Sequence, residues 1–234
     1  MARESRNMSA EFDHYAREYD ALLKDPIRDR FAQDPDFFHL RKWLLLQEFL
    51  RRWSIPGKQC SWLDIGCGKG ELLRFGQASF RQAVGCDPSK EMLNECSGLS
   101  VRQQTENSTL PFGDASFDVL TAACVYHHLD PAERQALTAE ARRVLRPGGL
   151  FAIFEHNPWN PVTRGIVRRT PVDANAVLLT AGETRGILSE AGFSVRKTCY
   201  YLYFPQSLYR RLPGLERLLA SVPAGGQYAV FACR

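Results

Sequence analysis

Asp64-Ile65-Gly66-Cys67-Gly68-Lys69-Gly70 sets an acid ahead of three alternating glycines. Glycines at that spacing allow a tight turn and let a ligand approach bare backbone. N–H groups exposed at the start of a following helix favour an anionic ligand group. The spacing is not the G-x-G-x-x-G of a dinucleotide site, and an acid at position 64 would repel a pyrophosphate. It suits a ligand that carries an ammonium beside a carboxylate, which the glycine N–H groups can meet. A second acid, Asp87, lies 17 residues past Gly70 (87 − 70), close to the ~20-residue offset at which an acid takes ribose hydroxyls in nucleotide-binding α/β units. These residues describe a cleft for an amino acid at one end and a nucleoside at the other.

Elements must hold them in place. Trp62, Leu63 and Ile65 read as a buried strand, and Glu71-Leu72-Leu73-Arg74-Phe75 opens a helical pattern after the glycines. Ala83–Asp87 reads as a second strand that delivers its acid to the start of a helix at Pro88-Ser89. Ser100–Gln104, Ser116–Ala122, Leu150–Phe154, Phe193–Phe204 and Gln227–Cys233 supply five more strands. Asp130-Pro131 caps a helix over Ala132–Leu145, stopped by Arg146-Pro147-Gly148-Gly149, and Thr180–Ala191 forms another. Residues 8–54 read as helical, with breaks at Asp25-Pro26 and at 33–36. Residues 162–180 show no strong periodicity and read as an insertion over the carboxyl edge of the sheet, the place where insertions set substrate choice.

The first motif resembles motif I of the class I S-adenosylmethionine-dependent methyltransferases, Asp/Glu-x-Gly-x-Gly-x-Gly, at all its defined positions. Four further stretches resemble that family in the right order: Phe12-Asp13-x-x-Ala16-x-x-Tyr19-Asp20, Gly85-x-Asp87-Pro88-Ser89-x-x-Met92-Leu93, Ser116-Phe117-Asp118 leading to His127-His128-Leu129, and Val144-Leu145-Arg146-Pro147-Gly148-Gly149. The resemblance covers about residues 12–204 and implies a Rossmann-like, doubly wound, mostly parallel seven-stranded α/β sheet with an antiparallel last strand. It implies S-adenosyl-L-methionine as cofactor. Tyr19 would close over it, Asp64, Gly66, Cys67, Gly68 and Gly70 would hold its amino-acid end, and Asp87 and Pro88 its ribose. Met92 would pack near the adenine, Glu106 would accept from the adenine amine, the Asn107 N–H would donate to the ring, and Cys124 would lie just past the fourth strand.

Acceptor chemistry is expected at the carboxyl ends of the fourth and fifth strands, where open parallel sheets bind ligands. His127 is a candidate base there, as are Glu155 and His156, with Trp159 available to pack an acceptor. Each also has a plain packing role open to it. The His127-His128 pair followed by Asp130 invites a metal reading, but adjacent side chains are expected to point apart and no third ligand is spaced for it, so no metal is expected.

Composition narrows the class. The chain has 234 residues, 44% hydrophobic and 24% charged, which fits one large α/β domain. We divide it into an N-terminal helical cap (1–57), a cofactor-binding core (58–155) and an acceptor-side insertion with the C-terminal strands (156–234). No apolar run reaches the ~20 residues that span a bilayer, and the first residues carry no secretory pattern. Seven scattered cysteines without a Cys-x-x-Cys pair suit a reducing, cytoplasmic setting. A net charge of +4 is spread thinly; the clusters Arg164/Arg168/Arg169 and Arg210/Arg211/Arg217 read as solvated helix faces, and no nucleic-acid partner is expected. The expectation is therefore methyl transfer to a hydroxyl or amine of a small-molecule acceptor, in an unspecified oligomeric state. An NAD(P)-type oxidoreductase on the same fold and a non-catalytic cofactor-binding module remain as alternatives.

Overall fold

The computed structural model describes residues 8–234, with side chains from residue 12 onward. The stretch read for a secretory pattern thus lies largely outside the described residues. In chain order the elements are α1 (Met8–Tyr15), α2 (Tyr19–Leu22), α3 (Pro26–Phe31), α4 (Phe37–Arg52), β1 (Ser61–Ile65), α5 (Glu71–Gly76), β2 (Gln82–Asp87), α6 (Lys90–Asn94) and β3 (Val101–Gln103). They continue with β4 (Phe117–Ala123), α7 (Pro131–Val144), β5 (Leu145–His156), α8 (Pro161–Arg169), α9 (Ala181–Glu190), β6 (Ser194–Tyr201), α10 (Gln206–Arg211), α11 (Pro213–Leu219) and β7 (Gln227–Cys233).

The seven strands form one sheet in the order β3-β2-β1-β4-β5-β7-β6. Strands β1 to β5 are parallel, and β7 runs antiparallel to both β5 and β6. This is the expected doubly wound sheet with an antiparallel last strand. Chain order reverses between β1 and β4, and such a switch point opens a crevice at the carboxyl ends of the two strands.

Side chains alternate between two apolar layers, as a period of two requires. On one face Leu63, Ile65, Phe151 and Ile153 pack under Leu137, Ala141 and Val144 of α7 and Leu188 of α9. On the other, Trp62, Leu150, Ala152 and Phe154 meet Trp43, Leu46 and Phe49 of α4 and Leu72 and Leu73 of α5. Phe49 stacks flat on Phe231 of β7 with ring centres 4.4 Å apart. Each such buried ring contributes roughly 1.5–3 kcal/mol by leaving water.

The helix starts follow local chemistry. Asp130 and Glu133 form a reciprocal capping box on α7, with Pro131 in the first turn, and Thr180 with Glu183 does the same for α9. Two readings of the sequence need correction here. The stretch 162–180 is not irregular: Asn160 accepts from the Thr163 N–H and Pro161 opens α8, after which Pro171–Asp173 makes a 3-10 turn. The signals were readable, an Asn-Pro start and Val162, Ile166 and Val167 at helical spacing, but the helix is short and ends in a turn that hid it within the longer stretch. The fifth strand begins earlier than Leu150, because Leu145 already pairs with Phe117 before the register shifts to Val119↔Leu150.

Candidate active site

β1 ends at Ile65, and the chain must turn at once to begin α5. Gly66 (φ +65°) and Gly68 (φ +54°) take the left-handed conformation that residues with a Cβ avoid. At Gly66 a Cβ would also stand 2.5 Å from Val125 Cγ2. Around Gly68 the space is open, and its N–H donates to Asp87 Oδ2 at 2.9 Å. The Ser89 N–H donates to Asp87 Oδ1, also at 2.9 Å. Asp87 is thereby fixed at the end of β2, and burial pushes its carboxyl up to about 6.

Two contacts tie the N-terminal helices to this turn. Asp13 of α1 accepts from the Ser89 hydroxyl at 2.6 Å and from the Glu91 N–H at 3.1 Å, so it clasps the start of α6. Asp20 of α2 pairs with Lys69 at 3.3 Å, and the Lys69 ammonium lies 5.8 Å from the centre of the Tyr19 ring.

A cavity of about 480 Å³ opens between these elements. Of the residues expected to meet the cofactor, Tyr19, Gly66, Gly68, Asp87, Pro88, Met92, Asn107 and Cys124 line it. Asp64, Cys67, Gly70 and Glu106 do not. Asp64 shares the face of β1 with Trp62, where it accepts from the Thr121 hydroxyl at 2.5 Å. Burial raises its carboxyl to about 7. Strand alternation aims it beneath the turn, away from the cleft. The Cys67 thiol faces Gly85 of β2, and Gly70 packs against Leu99. Glu106 is exposed and accepts from the Thr109 hydroxyl at 3.0 Å, while Asn107 donates to Glu133 at 2.8 Å.

Lys42 was not anticipated as a site residue. It is 3% exposed, lines the cavity and forms no ion pair among the described residues. The readable signal was a cation at the middle of the i, i+4, i+8 stripe Phe38, Lys42, Leu46 of α4. Gln104, at the end of β3, also lines the cavity and left no such signal.

The opposite wall holds a cluster of titratable groups. Glu155, at the end of β5, is fully buried and does not reach the cavity. One oxygen accepts from the Tyr126 N–H at 2.7 Å, and the other lies 2.5 Å from His127 Nδ1. Glu155 therefore cannot take a proton from an acceptor itself; it orients His127, which lines the cavity. Asp173, in the turn after α8, lies 3.4 Å from His127 Nε2 and 3.6 Å from His128 Nε2. Burial works against the His127 imidazolium, yet Glu155 and Asp173 outweigh it and hold its pKa well above the ordinary value. Burial drives His128 the other way, down to about 3. The Asp173 carboxyl, despite burial, is brought to about 2 by the histidines.

His156 also lines the cavity, its ring centre 5.2 Å from that of His127. Burial opposes charge on His156 and on Cys124 alike. Lys42 and His156 nonetheless draw the Cys124 thiol down, and Cys124 draws His156 up. Cys124 takes φ +61°, a strained backbone for a residue with a Cβ. Trp159 is 69% exposed and stands outside the cavity, because Asn157 turns the loop outward by donating to Pro223 and Gly225 carbonyls.

The expectation that His127 and His128 point apart fails. They sit in a 3-10 turn, Tyr126–His128, and their ring centres are 4.1 Å apart. Asp173, from the turn after α8, comes within reach of both rings.

Residues 63–153 match the model of a methyltransferase domain family. An uncharacterized methyltransferase of the cyanobacterium Synechocystis is 31% identical over 156 residues, 62% of this chain and 71% of the relative. The chain belongs to the class I S-adenosylmethionine-dependent methyltransferases. A tRNA (carboxymethyluridine(34)-5-O)-methyltransferase of Arabidopsis thaliana is 29% identical over 69% of this chain, but this methyltransferase spans only 37% of that protein. A Thermotoga maritima structure described as a possible histamine N-methyltransferase superposes with a TM-score of 0.67 over 95% of this chain and 97% of its own, at 17% identity. That likeness is one of fold. The cofactor of the family is S-adenosylmethionine, and the cavity fits it: an open glycine turn, a fixed carboxylate at the end of β2 and an unpaired buried cation share one wall system. No helix among the described residues is long and apolar enough to cross a membrane.

Proposed function

We propose that this methyltransferase acts on a hydroxyl group of a small, largely apolar molecule. One observation carries the reading. The cavity is lined from α1–α4 and α8, and beyond the cofactor residues its wall is mostly apolar (Phe31, Phe38, Val162, Ile166, Val167, Leu202), with Arg28 and His39 among the polar exceptions and a proton-handling cluster on one side. An RNA acceptor would call for a basic surface with exposed stacking rings. Here Arg169 is already paired with Asp25 at 2.8 Å.

Bound S-adenosylmethionine supplies a methyl group on a sulfonium, already activated for in-line displacement. The chain's task is then to position the acceptor, exclude water and manage one proton. We assign Asp87 to the ribose hydroxyls, Lys42 and the bare backbone at Gly66 and Gly68 to the amino-acid end, and Pro88, Met92 and Asn107 to the adenine side. Tyr19 closes the cofactor end. A hydroxyl acceptor must lose its proton as the new bond forms, whereas an amine already deprotonated need not. With His127 in its neutral form, Nε2 is the atom placed to receive that proton, and the Glu155 and Asp173 carboxylates stabilise the imidazolium that forms. We read the chain as one domain in which α1–α4 form the cap, and the seven free thiols suit a reducing, cytoplasmic setting.

The test is a transfer assay with methyl-labelled S-adenosylmethionine against three acceptor sets: phenols and apolar alcohols, the matching amines, and total tRNA. Label in the hydroxyl set is expected. Label confined to tRNA or to the amines would overturn the assignment.

A further inference from the structure

His127 and His128 are neighbours in the 3-10 turn Tyr126–His128, and their ring centres lie only 4.1 Å apart. Their Nε2 atoms converge on a single oxygen, Asp173 Oδ1, at 3.4 and 3.6 Å. His127 Nε2 is buried with no hydrogen-bond partner among the described residues, and the His127 side chain is 1% exposed. These three atoms lie within 4.8 Å of one another. Two ring nitrogens pointed at one carboxylate oxygen make a poor hydrogen-bond arrangement. They make a good coordination set, because ligand atoms at ~2.0–2.2 Å from a tetrahedral ion are separated by about 3.4 Å.

The surroundings follow the same pattern. The far nitrogen of His127 is held by the Glu155 carboxylate at 2.5 Å, the carboxylate–histidine support that orients a metal-bound imidazole and fixes its tautomer. His128 packs edge-on against Phe12 of the cap, ring centres 5.1 Å apart. Glu155 and Asp173 together carry two negative charges, which a divalent ion balances with both imidazoles neutral. All three ligand residues line the cavity, so the fourth position faces the acceptor space.

We propose that His127 Nε2, His128 Nε2 and Asp173 Oδ1 form a binding site for a divalent transition-metal ion of the zinc class, with one position open to the acceptor hydroxyl. Two nitrogens and one carboxylate select zinc-class ions over magnesium or calcium, which require more oxygen ligands. The ion would also tie the turn after α8 to the end of β4. This deepens the reading of a hydroxyl acceptor and rests on it for the chemistry; with the ion bound, His127 Nε2 is a ligand and the ion takes over from it the activation of the hydroxyl. The ion polarises the bound hydroxyl, whose proton passes to the buffer. The oxygen lone pair forms the new O–C bond, the S–C bond breaks with its electron pair left on sulfur, and nothing is oxidised or reduced.

The experiment uses the full chain, stripped with a chelator and titrated with Zn²⁺ by calorimetry and with Co²⁺ by visible absorption. One equivalent is expected to bind, with the intense ligand-field bands of four-coordinate Co²⁺ and no thiolate charge-transfer band. His128→Ala and Asp173→Ala should each weaken binding at least about tenfold, the scale of a lost metal contact. Asp173→Asn, close in size, guards against loss by misfolding, and S-adenosylmethionine affinity reports whether each variant is folded. Absence of binding, an unchanged affinity in folded variants, or a thiolate band would overturn the site. Metal binding that persists while every hydroxyl acceptor goes unmethylated would support the site and strike the acceptor reading instead. Transfer to hydroxyls that ignores the chelator, with no Co²⁺ bound, would do the reverse.

Discussion

Asp87→Asn isolates the cofactor assignment. In the native chain each Asp87 oxygen accepts one backbone N–H, from Ser89 and from Gly68, at 2.9 Å. A carboxylate has about four lone-pair sites, so each oxygen keeps one for the ribose. Asparagine has one accepting oxygen and must turn its NH₂ either toward a backbone N–H or toward the ribose. One charge-assisted bond to the ligand is lost and the other weakens, at ~1.5–3 kcal/mol for a bond to a charged group. A loss near 3 kcal/mol corresponds to a roughly hundredfold rise in Kd at about 1.4 kcal/mol per decade. Calorimetry with S-adenosylmethionine and its demethylated product measures it directly. The pH dependence adds an independent check. Burial has raised the free Asp87 carboxyl to about 6, and ribose hydroxyls donate to its ionised form. Affinity should therefore fall as pH drops below about 6, by up to about tenfold per pH unit for a single group, and the variant should lose that slope. A folded Asp87→Asn protein that keeps both wild-type affinity and wild-type slope would refute the ribose role.

Two further outcomes follow from the same coordinates. Gly66→Ala meets both a left-handed backbone (φ +65°) and Val125 at 2.5 Å, whereas Gly98→Ala meets only the backbone term (φ +75°) with nothing near its Cβ. Denaturant unfolding should show a loss of about 1–2 kcal/mol for Gly98→Ala and clearly more for Gly66→Ala, with only the latter weakening cofactor binding; equal losses would contradict the packing argument. In the metal-free protein His127 has a pKa raised well above 6.5, so its stabilisation is complete below 6.5 and fades as pH climbs through the raised value. Asp173, lowered to about 2 from 3.8, contributes above 3.8 and loses its contribution as pH falls toward 2. The wild-type-minus-His127→Ala stability difference should thus be largest on a plateau between about pH 4 and 6.5, near ~3–5 kcal/mol because Glu155 is left buried and unpaired. Urea titrations across that range would count against the ion pair if the difference were flat into the alkaline limb.

The cofactor side was legible because its chemistry is local. Gly66, Gly68 and Asp87 lie at strand ends, where a turn and the start of a helix fix each residue within a few positions of the next. Their family pattern therefore maps directly onto the cavity. Asp64 shows the limit even there: its type and place in the motif suggested a ligand contact, but the alternation of β1 decides which way it faces, and Thr121 of β4 receives it. Glu106 does not line the cavity for a similar reason, since a polar loop leaves its side chain free to accept from Thr109. Lys42 was hidden in plain view, a cation on an apolar stripe that was read as helix packing.

The acceptor side was legible only in part, and the reason is topological. His127 and His156 follow from the rule that chemistry gathers at the carboxyl ends of strands, but Asp173 stands 46 residues from His127 (173 − 127). It reaches the cluster through α8 and the 3-10 turn after it, a long-range placement that no local pattern encodes. Glu155 looked like a base because of its place at the end of β5. Its burial instead makes it a fixed counter-charge, and that changes what His127 can do: with one nitrogen committed to Glu155, only Nε2 is left to meet a proton or an ion. The proposed acceptor rests less on any one residue than on charge. The wall is mostly apolar, while Lys42 and the His127–Asp173–Glu155 group hold opposite charges around the same cavity. On the proposed reading, a sulfonium cofactor with a zwitterionic amino-acid end and a neutral hydroxyl suit that arrangement together, whereas a polyanionic acceptor would have to bring its phosphates to a net negative cluster.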